Sequence, residues 1–267
     1  MKALPKKLGI VAGGGLLPAK LLAFCDANGI ETFVVGFDGH VDPELLQGRD
    51  HMLTRIGAAG SILKTLQERE CDDLVLIGSV KRPKLSELRP DLRTAAFFAK
   101  LGLRAIGDDG LLKALRAELE KEGFRIHGIH EILDGLLMTK GVLGKCHPTE
   151  DQYEDIRIGL AGSRKLGAED IGQCVVALNE EIIGTEDAEG TNSLIRRAAQ
   201  PGAILVKSSK PQQDRKLDMP TIGSDTVRLC ASLGYAGIAA EYDGVLLADR
   251  DVMVTLADEL GLFIVGV

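Results

Sequence analysis

No apolar stretch in this chain approaches the ~20 consecutive residues that a membrane-crossing helix needs. The runs at residues 74–77 and 262–267 are far shorter. The basic segment at residues 1–7 is not followed by a long apolar region, so it does not read as a secretory signal. Cysteine is sparse and scattered, at Cys25, Cys71, Cys146, Cys174 and Cys230, with no Cys-x-x-Cys. That spacing excludes a disulfide framework and a zinc ribbon and fits a reducing cytoplasm. The five histidines include no pair at helical ligand spacing. Positive charge is also short, 32 Lys+Arg against 39 Asp+Glu for a net −7. A phosphate backbone selects a broad basic face, so nucleic acid is excluded as the general partner, whereas a small phosphorylated ligand held by local cations is not. Internal repeats and low-complexity segments are absent.

What is present is an ordinary globular composition, 45% hydrophobic and 27% charged over 267 residues, enough for one large domain or two of usual size. The first half alternates short apolar runs with helical patterns, the mark of a parallel, helix-flanked α/β sheet. Strands are expected at residues 8–12, 32–35, 74–77 and 124–126. Pro18 is expected at the first position of a helix that ends at Asn28-Gly29, and Ser61 as the cap of a later one. Further helices are expected at 94–101 and 111–120. The glycine-rich stretch 135–147 reads as a linker between a Rossmann-like domain (1–134) and a mixed α/β domain (148–267). In the second domain a helix is expected at 149–166, followed by strands 174–178 and 181–184 joined by a hairpin at Asn179-Glu180. A helix after Thr191, a strand at 203–207, a helix at 225–233 capped by Ser224 or Asp225, and a strand at 263–265 complete it.

Four stretches carry candidate chemistry. Gly13-Gly14-Gly15 joins a strand to a helix, where bare N–H groups and the helix dipole suit a phosphate. Its spacing is neither a dinucleotide fingerprint, since Pro18 stands where glycine would be required, nor a P-loop. Lys81 and Arg82 follow another strand, at the edge where ligands of open α/β sheets collect. Asp108-Asp109 opens a helix, a place for capping or for a hard cation. The densest stretch, Lys207-Ser208-Ser209-Lys210-Pro211-Gln212-Gln213-Asp214-Arg215-Lys216, holds four cations and one acid, a local +3 inside a −7 chain. Cations converging on one loop suit phosphates. Asp218, between Leu217 and Met219, reads as a partly buried acid. The acidic run Glu186-Asp187-Ala188-Glu189 before Gly190-Thr191-Asn192 suits a divalent ion, a sugar hydroxyl or simple pairing with the helix dipole.

In series these stretches resemble the UDP-2,3-diacylglucosamine pyrophosphatases of the I-type class of lipid A biosynthesis. The matching pieces are residues 9–18, Gly107-Asp108-Asp109 with Leu111-Leu112, Glu122-Gly123-Phe124, Asp170-Ile171-Gly172-Gln173, Glu189-Gly190-Thr191, and residues 207–223 with Thr226. The resemblance implies two domains with the nucleotide-lipid in the cleft between them and dependence on Mg²⁺ or Mn²⁺. It implies hydrolysis of UDP-2,3-diacylglucosamine to UMP and 2,3-diacylglucosamine 1-phosphate, by water attacking the phosphorus nearer the sugar. The family's essential carboxylate, in an Arg-x-x-Asp-x-Pro segment, falls on Asp218. The chain departs from the family at Asn192, where Asp is usual, so that position keeps an oxygen ligand and loses a charge.

Substrate binding is then expected of Gly13, Gly14, Gly15, Lys81, Arg82, Glu189, Gly190, Thr191, Lys207, Lys210, Arg215 and Thr221. Metal binding is expected of Asp218, Asp108 and Asp109. Two acyl chains require an apolar cavity. A cytoplasmic enzyme in peripheral contact with the inner membrane follows, with homo-oligomerisation left open. Two other readings stand beside it: a nicotinamide-dependent oxidoreductase using the Gly13–Gly15 loop and Asp38, and a non-catalytic nucleotide-lipid carrier.

Overall fold

A computed structural model describes residues 4–80, 89–101 and 108–267, the side chains of Asp108 and Asp109 excepted. It forms two compact units. The first is Met1–Leu133 together with Asp214–Asp218, and the second is Asp134–Gln213 together with Met219–Val267.

The first unit is a five-stranded parallel sheet of order β3-β2-β1-β4-β5. Its strands are β1 (Lys7–Ala12), β2 (Glu31–Phe37), β3 (His51–Thr54), β4 (Asp73–Ile77) and β5 (Arg125–His127), and its helices are α1 (Leu16–Ala27), α2 (Ala59–Glu68), α3 (Leu92–Leu101), α4 (Asp108–Lys121) and the single turn α5 (Ile129–Ile132). Side chains alternate across the sheet. Phe33, Val35 and Leu74 pack on one face with Ile62, Leu63 and Leu66 of α2 and Leu119 of α4. Leu8, Ile10 and Ala12 lie on the opposite face, all fully buried.

Pro18 occupies the third position of α1, not the first. A proline is tolerated there because the first four N–H groups of a helix have no intrahelical acceptor. Ser61 lies inside α2 and does not cap it. That task falls to Asp91 and Thr94, distant in sequence. The Gly60 N–H donates to Asp91 Oδ2 (2.7 Å) and the Ala59 N–H to Thr94 Oγ1 (3.2 Å), while Asp91 Oδ1 accepts from the Thr94 N–H (2.8 Å). One carboxylate thus ends two helices at the same point and holds α2 against α3.

The second unit is a six-stranded mixed sheet of order β6-β13-β11-β9-β7-β8, with a separate two-stranded pair β10-β12. Its strands are β6 (Gly141–Leu143), β7 (Cys174–Leu178), β8 (Glu181–Thr185), β9 (Ile204–Lys207), β10 (Thr221–Ile222), β11 (Gly237–Ala240), β12 (Leu246–Leu247) and β13 (Phe263–Gly266), and its helices are α6 (Glu150–Ala168), α7 (Thr191–Arg197), α8 (Ser224–Ser232) and α9 (Arg250–Leu260). Thr149 opens α6 with a capping box closed by Gln152. Asn179 and Glu180 both adopt positive φ, 51° and 62°, as the tight β7–β8 hairpin requires.

The stretch 135–147 is not a plain linker, because β6 pairs antiparallel with β13 and completes the second sheet. Neither Ser224 nor Asp225 caps α8. Gly223 precedes it, and Asp249 Oδ1 accepts the Ser224 N–H at 2.9 Å. Residues 214–218 belong to the first unit rather than the second.

Candidate functional site

A recess lies within the first unit, a cavity of about 620 Å³. Its walls are one face of the sheet, through Val11, Leu74 and Leu76, and the apolar faces of three helices, through Ile62, Leu63 and Leu66, Phe97 and Phe98, and Leu111, Leu112, Leu115 and Leu119. At the strand ends the lining includes Gly13, Gly78 and Ser79, and its charged members among the described residues are Arg93, Glu118 and Asp218. Phe97 and Phe98 meet edge to face with ring centroids 5.6 Å apart.

Asp218 reaches this wall because residues 214–218 form a compact turn anchored to the first unit. The main-chain oxygen of Asp214 accepts from the Leu217 and Asp218 N–H groups, at 3.0 and 2.9 Å. Lys216 donates from Nζ to the Ile126 carbonyl at 2.7 Å and lies 3.9 Å from the Glu131 carboxylate. Asp218 is half-buried and Arg215 exposed.

The glycine turn is built differently from a phosphate cradle. The Gly13 N–H donates to the Ile77 carbonyl (2.9 Å), and Gly14 and Ser79 exchange two backbone bonds of 2.8 Å. A Cβ on Gly13 would sit 2.4 Å from the Ser79 oxygen. Close approach of two backbones therefore accounts for these glycines, and the N–H groups of Gly13 and Gly14 are not bare as expected. Gly15 holds φ +99° in open space.

The second unit brings Thr191, Lys207 and Thr221 together. Lys207, the last residue of β9, is 6% exposed. Its ammonium donates to the Thr221 carbonyl (3.1 Å) and to Thr191 Oγ1 (3.4 Å). The Thr191 hydroxyl in turn donates to Glu186 Oε1, whose second oxygen accepts the Gln173 N–H at 2.8 Å. The sequence offered Glu186 only as one of an acidic run suited to a divalent ion, a sugar hydroxyl or the helix dipole; here it is the buried acid of this group, 8% exposed. Ser208, next in the chain and fully buried, has a hydroxyl without a partner among the described residues.

Other candidates do not converge. Lys210 pairs with Asp170 at 2.7 Å, and Glu189 accepts from Ser193 at 2.7 Å and faces Arg197 at 3.8 Å. Gly190 has φ +82° with open space around it, and Asn192 is exposed on α7. Lys81 and Arg82 lie outside the described residues, as do the side chains of Asp108 and Asp109. Among the described residues no three His, Cys, Asp or Glu side chains form a metal cage. Mg²⁺ bound by one or two carboxylates and substrate phosphates needs no such cage, and the half-buried Asp218 carboxylate fits that mode.

Comparison with known proteins follows the same division. Residues 7–136 match the LpxI N-terminal domain and residues 139–265 the LpxI C-terminal domain. The UDP-2,3-diacylglucosamine pyrophosphatase LpxI of Caulobacter vibrioides is 38% identical over 276 aligned positions, covering 98% of each chain. A solved structure of the biotin carboxylase domain of Hydrogenobacter thermophilus 2-oxoglutarate carboxylase overlaps at 14% identity and a TM-score of 0.25, over 73% of this chain and 40% of that one. That overlap carries no argument. With both domain models matched in order and a relative aligned along nearly its whole length, the chain belongs to the LpxI family.

Proposed function

We propose that this chain hydrolyses the pyrophosphate of UDP-2,3-diacylglucosamine, releasing UMP and 2,3-diacylglucosamine 1-phosphate. The observation that carries the reading is the placement of Asp218 in the lining of a mostly apolar cavity in the same unit. A lipid phosphoanhydride needs that adjacency, since its hydrocarbon must be sheltered from water while its phosphorus stays beside a polar group. The name of the Caulobacter relative, 38% identical, supports the same substrate.

Catalysis on a pyrophosphate diester is largely positioning and charge neutralisation, because the anion repels its nucleophile. Water attacks the phosphorus nearer the sugar, and UMP leaves. Asp218 orients that water by accepting its proton, or it binds a divalent ion together with substrate phosphate oxygens. Mg²⁺ or Mn²⁺, when bound, neutralises phosphate charge and lowers the pKa of a coordinated water. Arg215, exposed in the first unit, is assigned to phosphate, and Lys207, set by Thr191 and Thr221, is the phosphate-binding cation assigned in the second.

The test follows UMP release from UDP-2,3-diacylglucosamine with Mg²⁺, with and without chelator, for the parent and Asp218→Ala. The expected result is loss of turnover in the variant with an unchanged melting temperature and retained substrate binding. A fully active variant removes Asp218 from the mechanism. Full activity in chelator removes the metal.

A further inference from the structure

We propose that the cavity of the first unit holds one acyl chain of the substrate end-on, and that Leu66 and Leu74, seated against Gly9, form the floor that measures its length. The proposal rests on the lipid reading above and goes beyond it by naming the residues that select the lipid.

Topology orients the cavity. Every strand of the sheet runs parallel, so α2, between β3 and β4, must run back from the carboxyl edge to the amino edge. α4 ends where the short turn Glu122-Gly123-Phe124 enters β5, again at the amino edge. Gly13 and Gly78, just past the carboxyl ends of β1 and β4, therefore mark one end of the cavity, and Leu66, Leu74 and Leu119 the other, with Asp218 also in the lining. Leu66 and Leu74 are 0% exposed and Leu119 is 7% exposed, so this end is shut.

The length follows from element geometry. Seven helical steps from Ala59 to Leu66 span about 10 Å. Four strand steps from Leu74 to Gly78 span about 13 Å. An extended hydrocarbon advances about 1.25 Å per carbon from its bond lengths and angles, so roughly eight to ten carbons reach the floor. The lining is mostly apolar, and its charged members among the described residues are Arg93, Glu118 and Asp218; we set the polar head of the lipid at Asp218.

Gly9 sets the floor's height. A Cβ there would meet Leu74 Cδ2 at 2.5 Å, Leu66 Cδ2 at 3.0 Å and Cys71 Cβ at 3.1 Å. The two leucine atoms are terminal methyls. Gly9→Ala therefore lifts them into the cavity and shortens it, whereas Leu66→Ala deepens it.

The experiment measures kcat/KM for UMP release across UDP-2,3-diacylglucosamines of increasing acyl length, for the parent, Leu66→Ala and Gly9→Ala. The parent shows a cut-off. Leu66→Ala moves it one or two carbons longer, with at least a tenfold gain on the first excluded substrate, and Gly9→Ala moves it shorter. A ladder of n-alkyl phosphates, read by calorimetric binding to the full chain, reports on the cavity without turnover. Each carbon short of the floor tightens binding about fourfold, and carbons beyond it add nothing. A length dependence without UMP release keeps the floor and rejects the reaction. An identical cut-off in folded, active variants overturns the floor, as does an alkyl phosphate ladder without a break should either variant fail to fold.

Discussion

Arg116 of α4 donates from Nη1 to both carboxylate oxygens of Asp214, each at 3.1 Å, across 98 residues of sequence. The Asp214 side chain is only 8% exposed, and its Oδ1 also accepts the Lys216 N–H at 3.0 Å. The pair fastens the turn that carries Asp218.

In the proposed reaction Arg116 is therefore a positioning residue. Arg116→Ala is expected to lower kcat for UMP release about tenfold or more with little change in KM, and to cost about 1–2 kcal/mol of stability. Arg116→Lys restores part of the rate, because charge returns without the second guanidinium contact to Glu120, made by Nε at 2.8 Å. Steady-state kinetics with parallel melting curves check this, and an unchanged kcat would show that the turn holds Asp218 without the pair.

Gly13→Ala pushes a methyl group against the Ser79 backbone, where nothing flexible can yield. A loss of about 1–3 kcal/mol is expected. Urea unfolding of the variant tests it, and an unshifted midpoint would mean that the β1 and β4 turns separate at little cost.

Acid stability should depend on Asp73. Arg125 donates to it twice, at 2.9 and 2.8 Å, and His127 Nε2 lies 2.7 Å away. The Arg125 bonds, and after them the His127 contact, hold its carboxyl below the usual carboxylate range. A depressed folded pKa contributes stability above the unfolded value, near 3.9, and that contribution fades as pH falls through the lower folded value. With Arg125 60% exposed the amount is about 1 kcal/mol or less. Asp73→Asn should melt lower than the parent at neutral pH, with the gap narrowing toward pH 3. A constant gap would contradict the assignment.

Thiol reactivity should be confined to one site. Cys25, Cys71, Cys174 and Cys230 are buried, and Cys146 is half-buried. Burial pushes Cys25 up to about 11 and Cys230 up to about 12, leaving almost no thiolate at neutral pH. Ellman's reagent should titrate a single fast thiol in the native protein, and Cys146→Ser should abolish that phase.

Local order was legible where neighbours in sequence decide it. The helix start at Thr149, the Asn179-Glu180 hairpin and the stop at Asn28-Gly29 are set by short-range devices, and all three are present. The caps assigned to Ser61 and Ser224 were misread for one reason. The acceptors come from Asp91 and Asp249, some thirty and twenty-five residues away, and no local pattern reports them. The alanine- and glycine-rich β11 and the short β3 were missed because the chain there shows too little alternation to stand out.

The chain's order of motifs determined its family and its α/β class and singled out Asp218 as a candidate, since those follow from residue identity and spacing. Tertiary structure alone decided that residues 214–218 cross into the first unit, that Arg116 holds them there, and that Asp218 faces an apolar cavity. A cavity is space enclosed by side chains distant in sequence. Its walls here come from three helices and a sheet face, whose apolar residues read one element at a time as ordinary core.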